Sequence, residues 1–288
     1  MRNLKNRVLK LIYKIIEYLK SDFKLSRSSN KRYPEYCKIA SEDNEAFQNF
    51  RNNNSYTSVL EHVSPELSKE YYQALKNLNY SDDYIYSICK ILDQPGNPKK
   101  IKFNDSTTEL TGSSLRYLYT GLDIKSKLNI TEKINVVEIG AGYGGQSVIL
   151  DKIINIENYL FVDLKEVNLL IDRFLNNFKV NFNYSFKSLE DDFQDNFEFD
   201  LIISNYAFSE LPRNLQNLAL NKIINKSRSG YMIVNSHNLE KAFFLKKYNF
   251  YTIDELKEII SNLIVLEEKP QSHKNNKLLT FTQPLRNS

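Results

Sequence analysis

The stretch that most limits the fold is NVVEIGAGYGGQSVIL, residues 135–150. It begins as a near-continuous apolar run, the pattern of a strand covered on both faces. Glycines then stand at 140, 142, 144 and 145. Gly140 lets the chain turn sharply, and Gly142 keeps any side chain away from a group that approaches the backbone there. Gly144 and Gly145 open a helix, whose first N–H groups favour a negative group. Strand, tight turn and helix in this order commit the chain to a parallel α/β sheet with a ligand-accepting edge. Glu138 lies inside the apolar run, two residues before the turn. A carboxylate in such a place needs a partner or a cationic ligand.

The alternation continues downstream. Strands are predicted over INVVEIG, NYLFVDL, FNYSFKSL, FDLIISNY and GYMIVNS. Helices are predicted over GGQSVILDKII, VNLLIDRFLNNF and NLQNLALNKIINKS. TIDELKEIISNL reads as a helix capped by Thr252, and LIVLEEKP and NKLLTFTQP close the chain as two strands joined by a polar turn. Upstream, residues 34–94 read as short helices over NEAFQNFR, SKEYYQALKNL and SDDYIYSICKIL, the last capped by Ser81. DQPGNPKK, residues 93–100, interrupts the pattern. A boundary placed there separates a helical region, residues 1–100, from an α/β domain, residues 101–288. Ser113 or Ser114 then starts a helix running as far as Leu122.

With 41% hydrophobic and 26% charged residues, the chain has an ordinary globular composition. Its net charge of +4 comes from dispersed Lys and Arg, which gives no footprint for a nucleic-acid partner. Cys37 and Cys89 make neither a disulfide framework nor a zinc site, and no ligand cluster calls for a metal. VLKLIYKIIEYLK, inside a predicted amphipathic helix over residues 5–20, is interrupted by Lys10, Lys14 and Glu17. It is too charged and too short to span a bilayer. Its basic face suits peripheral contact with an anionic membrane surface, and equally packing on the body of the protein or on a second subunit. The expectation is a cytoplasmic protein, at the inner face of the membrane if that helix binds it.

Ligands in open α/β sheets sit outside the carboxyl ends of the strands, so the residues just past each strand are informative. Gly140, Gly142 and Gly145 match the G-x-G-x-x-G of dinucleotide-binding proteins. Glu138, Gly140, Gly142 and Gly144 match the E-x-G-x-G-x-G of S-adenosylmethionine-dependent methyltransferases, with Ala141 and Tyr143 as the intervening turn residues. After the second strand comes Asp163, 23 residues beyond Gly140, with Leu164 beside it. An acidic residue here accepts hydrogen bonds from ribose hydroxyls, so an adenosine-bearing ligand is expected with either motif. In SLEDD, Asp191 or Glu190 can meet an adenine amino group. SNYAFSEL, residues 204–211, ends the fourth strand in a polar pair that places Asn205 by a cofactor's reactive end. A nicotinamide enzyme of this layout often shows a serine with Tyr-x-x-x-Lys, or a second-domain His and Arg, and neither arrangement follows this strand. The closing strand pair also favours the methyl donor. A nicotinamide-dependent oxidoreductase and a non-catalytic adenosine-binding protein are the rival classes.

FRNNNSYTSVLEHVSPE, TELTGSSLRYLYTGLDI, VVEIGAGYGGQS and FDLIISNYAFSELPRNLQ together resemble the sugar O-methyltransferase family of bacteria, over roughly residues 45–240. The resemblance implies a class I methyltransferase fold: a mostly parallel, Rossmann-like sheet of seven strands ending in an antiparallel hairpin. It also implies S-adenosylmethionine as donor, and as acceptor a hydroxyl of a surface saccharide or its nucleotide-linked precursor. A lipid-linked or other small hydroxylated acceptor stays open. Methyl transfer to a hydroxyl needs in-line alignment and removal of the hydroxyl proton. His237 and Glu210, at the mouths of the fifth and fourth strands, suit that task. Arg116 suits the methionine carboxylate or a substrate phosphate. His62 can enter from the helical region, and Tyr206 and Tyr143 can wall the pocket.

Overall fold

The structure, a computed structural model, describes residues 31–103, 109–193, 198–235 and 250–283. The predicted amphipathic helix over residues 5–20 lies outside the described residues, as does His237.

Short helices come first: α1 (Arg32–Glu42), α2 (Asn44–Asn49), α3 (Asn54–Thr57), α4 (Pro65–Asn77) and α5 (Asp82–Cys89). Each of the later four starts on a side-chain cap, from Asp43, Asn53, Ser64 and Ser81. Such oxygens satisfy N–H groups that a short helix otherwise leaves to solvent. In α4, Pro65 sits in the first turn, where its missing N–H costs nothing. Tyr71, Tyr72 and Leu75 form its buried stripe.

Two three-residue strands, β1 (Lys100–Lys102) and β2 (Glu109–Thr111), pair antiparallel and lead into α6 (Gly112–Lys127). The cap of α6 is Thr111, which accepts from the Ser114 amide at 3.2 Å. Ser113, one of the two predicted caps, instead donates its hydroxyl to Glu61. The helix runs past Leu122 because Ile124 is still buried and Lys125 and Lys127 suit its negative C-terminal end.

The sheet then forms from β3 (Ile134–Ile139), β4 (Ile156–Val162), β5 (Asn183–Lys187), β6 (Phe199–Asn205), β7 (Ser227–Val234), β8 (Ile264–Glu267) and β9 (Lys277–Thr282). Helices α7 (Gly145–Leu150), α8 (Lys165–Leu175), α9 (Arg213–Lys222) and α10 (Ile253–Ile259) connect them. The order is β5-β4-β3-β6-β7-β9-β8. The first five strands in this order are parallel, and β9 lies antiparallel between β7 and β8. This is the predicted α/β architecture with its closing hairpin. The chain steps outward from β3 to β5, then crosses back to β6, so the switch point lies between β3 and β6. In doubly wound sheets ligands bind beside such a switch point, at the carboxyl ends of the strands.

Alternate strand residues feed two cores, as a period of two requires. Val136, Leu201, Ile203 and Leu278 join the cluster beneath α6 and α8. Val137, Ile202 and Leu279 join the cluster on the opposite face. The first cluster also takes in Tyr33, Cys37, Phe50, Tyr56 and Leu75. Residues on both sides of the 93–100 break therefore share one core. Burying one such aromatic side chain contributes about 2–3 kcal/mol. Arg173 of α8 fastens this packing by donating to the Asp43 carbonyl at 3.0 Å while stacking 4.4 Å from the Phe47 ring centroid.

Candidate active site

Gly140, Gly142 and Gly144 have φ of +77°, +64° and +83°, and Gly145 does not adopt the left-handed form. The positions that demand glycine keep the E-x-G-x-G-x-G spacing. A Cβ on Gly140 would lie 2.1 Å from the Ala207 methyl, so β3 and the end of β6 touch backbone to side chain. A Cβ on Gly142 would lie 2.8 Å from Leu60 Cδ1. The space that the bare Cα leaves at Gly142 is thus filled by the chain's own Leu60, not left open as the sequence suggested. The helix after the turn is also shorter than predicted and ends at Leu150.

Asp163 braces the turn. Its Oδ1 accepts from the Leu164 amide at 2.8 Å and its Oδ2 from the Gly142 amide at 3.3 Å. Burial pushes its pKa up to about 6, against the pull of these amides. Leu164 is 40% exposed, an apolar surface beside the carboxylate. Glu138 is 3% exposed. Its Oε2 accepts from the Tyr159 hydroxyl at 2.6 Å. Burial raises its pKa to about 7; the Tyr159 bond lowers it in part and the Asp163 charge raises it further. Tyr159 was not foreseen. It faces the same side of the sheet as Glu138, one pleat away, because Val136 pairs with Tyr159 and Glu138 with Phe161.

Past the end of β5, Asp191 is exposed and caps its own turn, accepting from the Ser188 amide at 2.7 Å. Asn205 ends β6 with Oδ1 buried and unpartnered, an acceptor that calls for a donor. Ser204 ties this end to β3, donating to the Ile139 carbonyl at 3.2 Å and accepting from the Phe208 amide at 3.1 Å. Tyr206 has φ +70°, an uncommon conformation for a bulky residue and a mark of functional sites. Its hydroxyl donates to Glu268, with Ser272 Oγ 3.1 Å away. Glu268 is 3% exposed and is further held by the Ser272 amide at 3.0 Å. Neither Glu268 nor Ser272 was singled out from sequence. Glu210 is half-buried and accepts from the Asn235 side chain at 3.2 Å.

Tyr143 does not wall a pocket with its ring. The ring is fully buried, edge-on to Phe174 at 4.8 Å and 4.6 Å from the Arg51 guanidinium. Only its backbone belongs to the turn. Arg51 is itself buried, pairs with Glu61 at 2.7 Å and donates to the Leu92 carbonyl at 2.5 Å. Glu61 also accepts from Ser113. Glu61 is the chain neighbour of Leu60, the residue against Gly142. His62 is exposed. Arg116 is half-buried, with its guanidinium 5.4 Å from the Tyr117 ring centroid and 5.7 Å from that of Tyr206.

Among the described residues no group of three His, Cys, Asp or Glu could hold a metal. Among them, too, no helix is long and apolar enough to cross a membrane.

No family model matches the chain, and no curated protein is similar to it. Solved structures do resemble it. An S-adenosylmethionine-dependent methyltransferase from Clostridium acetobutylicum is 10% identical, with 58% of this chain and 89% of that chain covered at a TM-score of 0.43. PH0226 protein from Pyrococcus horikoshii is 11% identical, with 62% and 93% covered at 0.44. YcgJ protein from Bacillus subtilis is 17% identical, with 54% and 70% covered at 0.41. At these values the likenesses carry no weight beside the strand order of the chain itself.

Proposed function

We propose that this protein is an S-adenosylmethionine-dependent O-methyltransferase acting on a hydroxyl of a saccharide or of its nucleotide-linked precursor. One observation carries the donor: a left-handed glycine turn, tied to Asp163 across the ends of β3 and β4, in a sheet whose β9 is antiparallel and lies next to β7. In the dinucleotide fold a parallel sixth strand occupies that place. The saccharide acceptor is supported by the motif resemblance alone.

The residues present fit such a donor. Asp163 is half-buried beside the exposed Leu164, a carboxylate for ribose hydroxyls and an apolar seat for a base. Glu138 offers a buried negative charge to an ammonium group, and Asn205 a vacant acceptor. Against this stands Leu60, which must shift or become part of the wall. When bound, the donor supplies an electrophilic methyl group on a positively charged sulfur. The chain's own work is to orient, to exclude water and to take the hydroxyl proton. In this reading Leu60, against Gly142, and the Tyr206–Arg116 pair form the cover that keeps water out. Glu210, which accepts from Asn235, and His237 are the two candidates from sequence to take the proton.

Titration calorimetry with S-adenosylhomocysteine and with NADH tests the donor. Micromolar binding of the first and none of the second is expected; the reverse result defeats the proposal. Transfer of labelled methyl to a panel of free and nucleotide-linked hexoses, but not to hydroxylated lipids, is expected for the acceptor.

A further inference from the structure

Arg116 stands apart from the other deep arginine. Arg51 has a carboxylate and a carbonyl on its guanidinium. Arg116, on the second turn of α6, has no ion pair or hydrogen bond among the described residues, only the faces of Tyr117 and Tyr206. The carboxylates around it are already engaged. Glu61 is taken by Arg51 and Ser113, and Glu268, beyond the Tyr206 ring, by Tyr206 and Ser272. A guanidinium drawn out of water without an acceptor is unfavourable. Its planar fork matches the paired oxygens of a carboxylate or phosphate. The tyrosine faces fix that plane by cation–π attraction.

The position of Arg116 is informative as well. It borders Tyr206 at the end of β6, whereas the glycine turn and Asp163 lie toward β4. Glu268, which holds the Tyr206 hydroxyl, also lines a small recess with Tyr71, Tyr231 and the exposed Lys269, a second positive charge in this region.

We propose that Arg116 reads an oxyanion on the acceptor: the substrate carries a phosphate or carboxylate near the hydroxyl that is methylated. This deepens the methyltransferase reading and rests on it.

The test uses the full chain saturated with S-adenosylhomocysteine. Inorganic pyrophosphate and malonate are titrated separately, by calorimetry or ligand-observed NMR. At least one is expected to bind, and which one distinguishes a phosphate from a carboxylate acceptor. Arg116→Gln is expected to weaken that anion about tenfold or more, while S-adenosylhomocysteine binds within about threefold of wild type. Arg116→Lys, which keeps the charge but loses the fork, is expected to fall between. Should the glutamine variant not fold, the lysine variant decides, and an unchanged anion affinity there overturns the proposal. Neither anion binding, or equal binding to wild type and Arg116→Gln, also overturns it. So does a loss of S-adenosylhomocysteine affinity in Arg116→Gln with 5′-methylthioadenosine unaffected, since the donor's own carboxylate then takes the arginine. Failure of S-adenosylhomocysteine to bind wild type defeats the donor assignment, and the anion titrations on the free protein then decide this proposal by themselves.

Discussion

Donor binding should expel a proton, and the size of the effect comes from Glu138. In the free protein its pKa is raised to about 7 by burial. A raised acid pKa means that the carboxyl holds its proton up to that pH. An ammonium group brought beside it favours the ionised form. Affinity is therefore full above about pH 7 and is lost as pH falls through that value. Between pH 8 and pH 6 the change is about tenfold, or roughly 1.4 kcal/mol. Asp163, with a pKa of about 6, adds about a further factor of two over the same range if ribose bonding needs it ionised. Calorimetry of S-adenosylhomocysteine in buffers of different ionisation enthalpy measures both the affinity and the protons released. Glu138→Gln supplies a second, opposite signature. The glutamine amide can still accept from Tyr159, but it carries no charge. By linkage, the native protein binds more protons than the unfolded chain between the ordinary carboxyl range and pH 7, so its stability falls as pH rises through that window. Glu138→Gln removes this penalty and should raise the melting temperature at pH 8, while weakening and flattening donor binding. A wild-type affinity independent of pH, or a variant that is destabilised at pH 8, refutes the assignment of Glu138 as a charge held ready for a cation.

Single contacts elsewhere make further tests. Glu61→Gln leaves Arg51 buried with no counter-charge and should cost about 3–5 kcal/mol in urea unfolding; a change below about 1 kcal/mol means that the pair is dispensable. Gly140→Ala places a methyl 2.1 Å from the Ala207 side chain at a φ of +77°, so soluble expression or S-adenosylhomocysteine binding should be lost, and a variant with wild-type affinity contradicts the geometry. Cys37 and Cys89 are fully buried and burial pushes both thiols up, so the native protein should leave Ellman's reagent uncoloured from these positions until urea unfolds it.

The sheet was legible because its central strands are apolar runs ended by glycine, aspartate or asparagine. The hairpin of β1 and β2 was not, since KIK and ELT are too short to show a period. The grouping of Glu138, the glycines and Asp163 was legible for a related reason: they occupy the ends of adjacent parallel strands, where order in sequence becomes order in space. Tyr143 shows how far that goes. In sequence it sits exposed in a glycine loop, but left-handed residues on both sides rotate its ring into the core.

The region around Tyr206, Glu268 and Arg116 is assembled from contacts between distant segments, and there the sequence offered only a partial signal. Glu267 and Glu268 are adjacent, so in an extended chain they must point to opposite sides. Glu267 turns outward to Lys277, and Glu268 turns inward to Tyr206. One of two neighbouring carboxylates at a strand end was therefore bound to need a buried partner, although nothing in the sequence says that the partner lies 62 residues upstream. The same holds for Arg51, a charge in the turn just past α2, whose counter-ion comes ten residues later. Arg51, Glu61 and Glu268 each have a partner inside the protein, whereas Arg116 has no ion pair or hydrogen bond among the described residues. On the oxyanion proposal, the group that Arg116 meets decides which hydroxyl compounds the protein accepts.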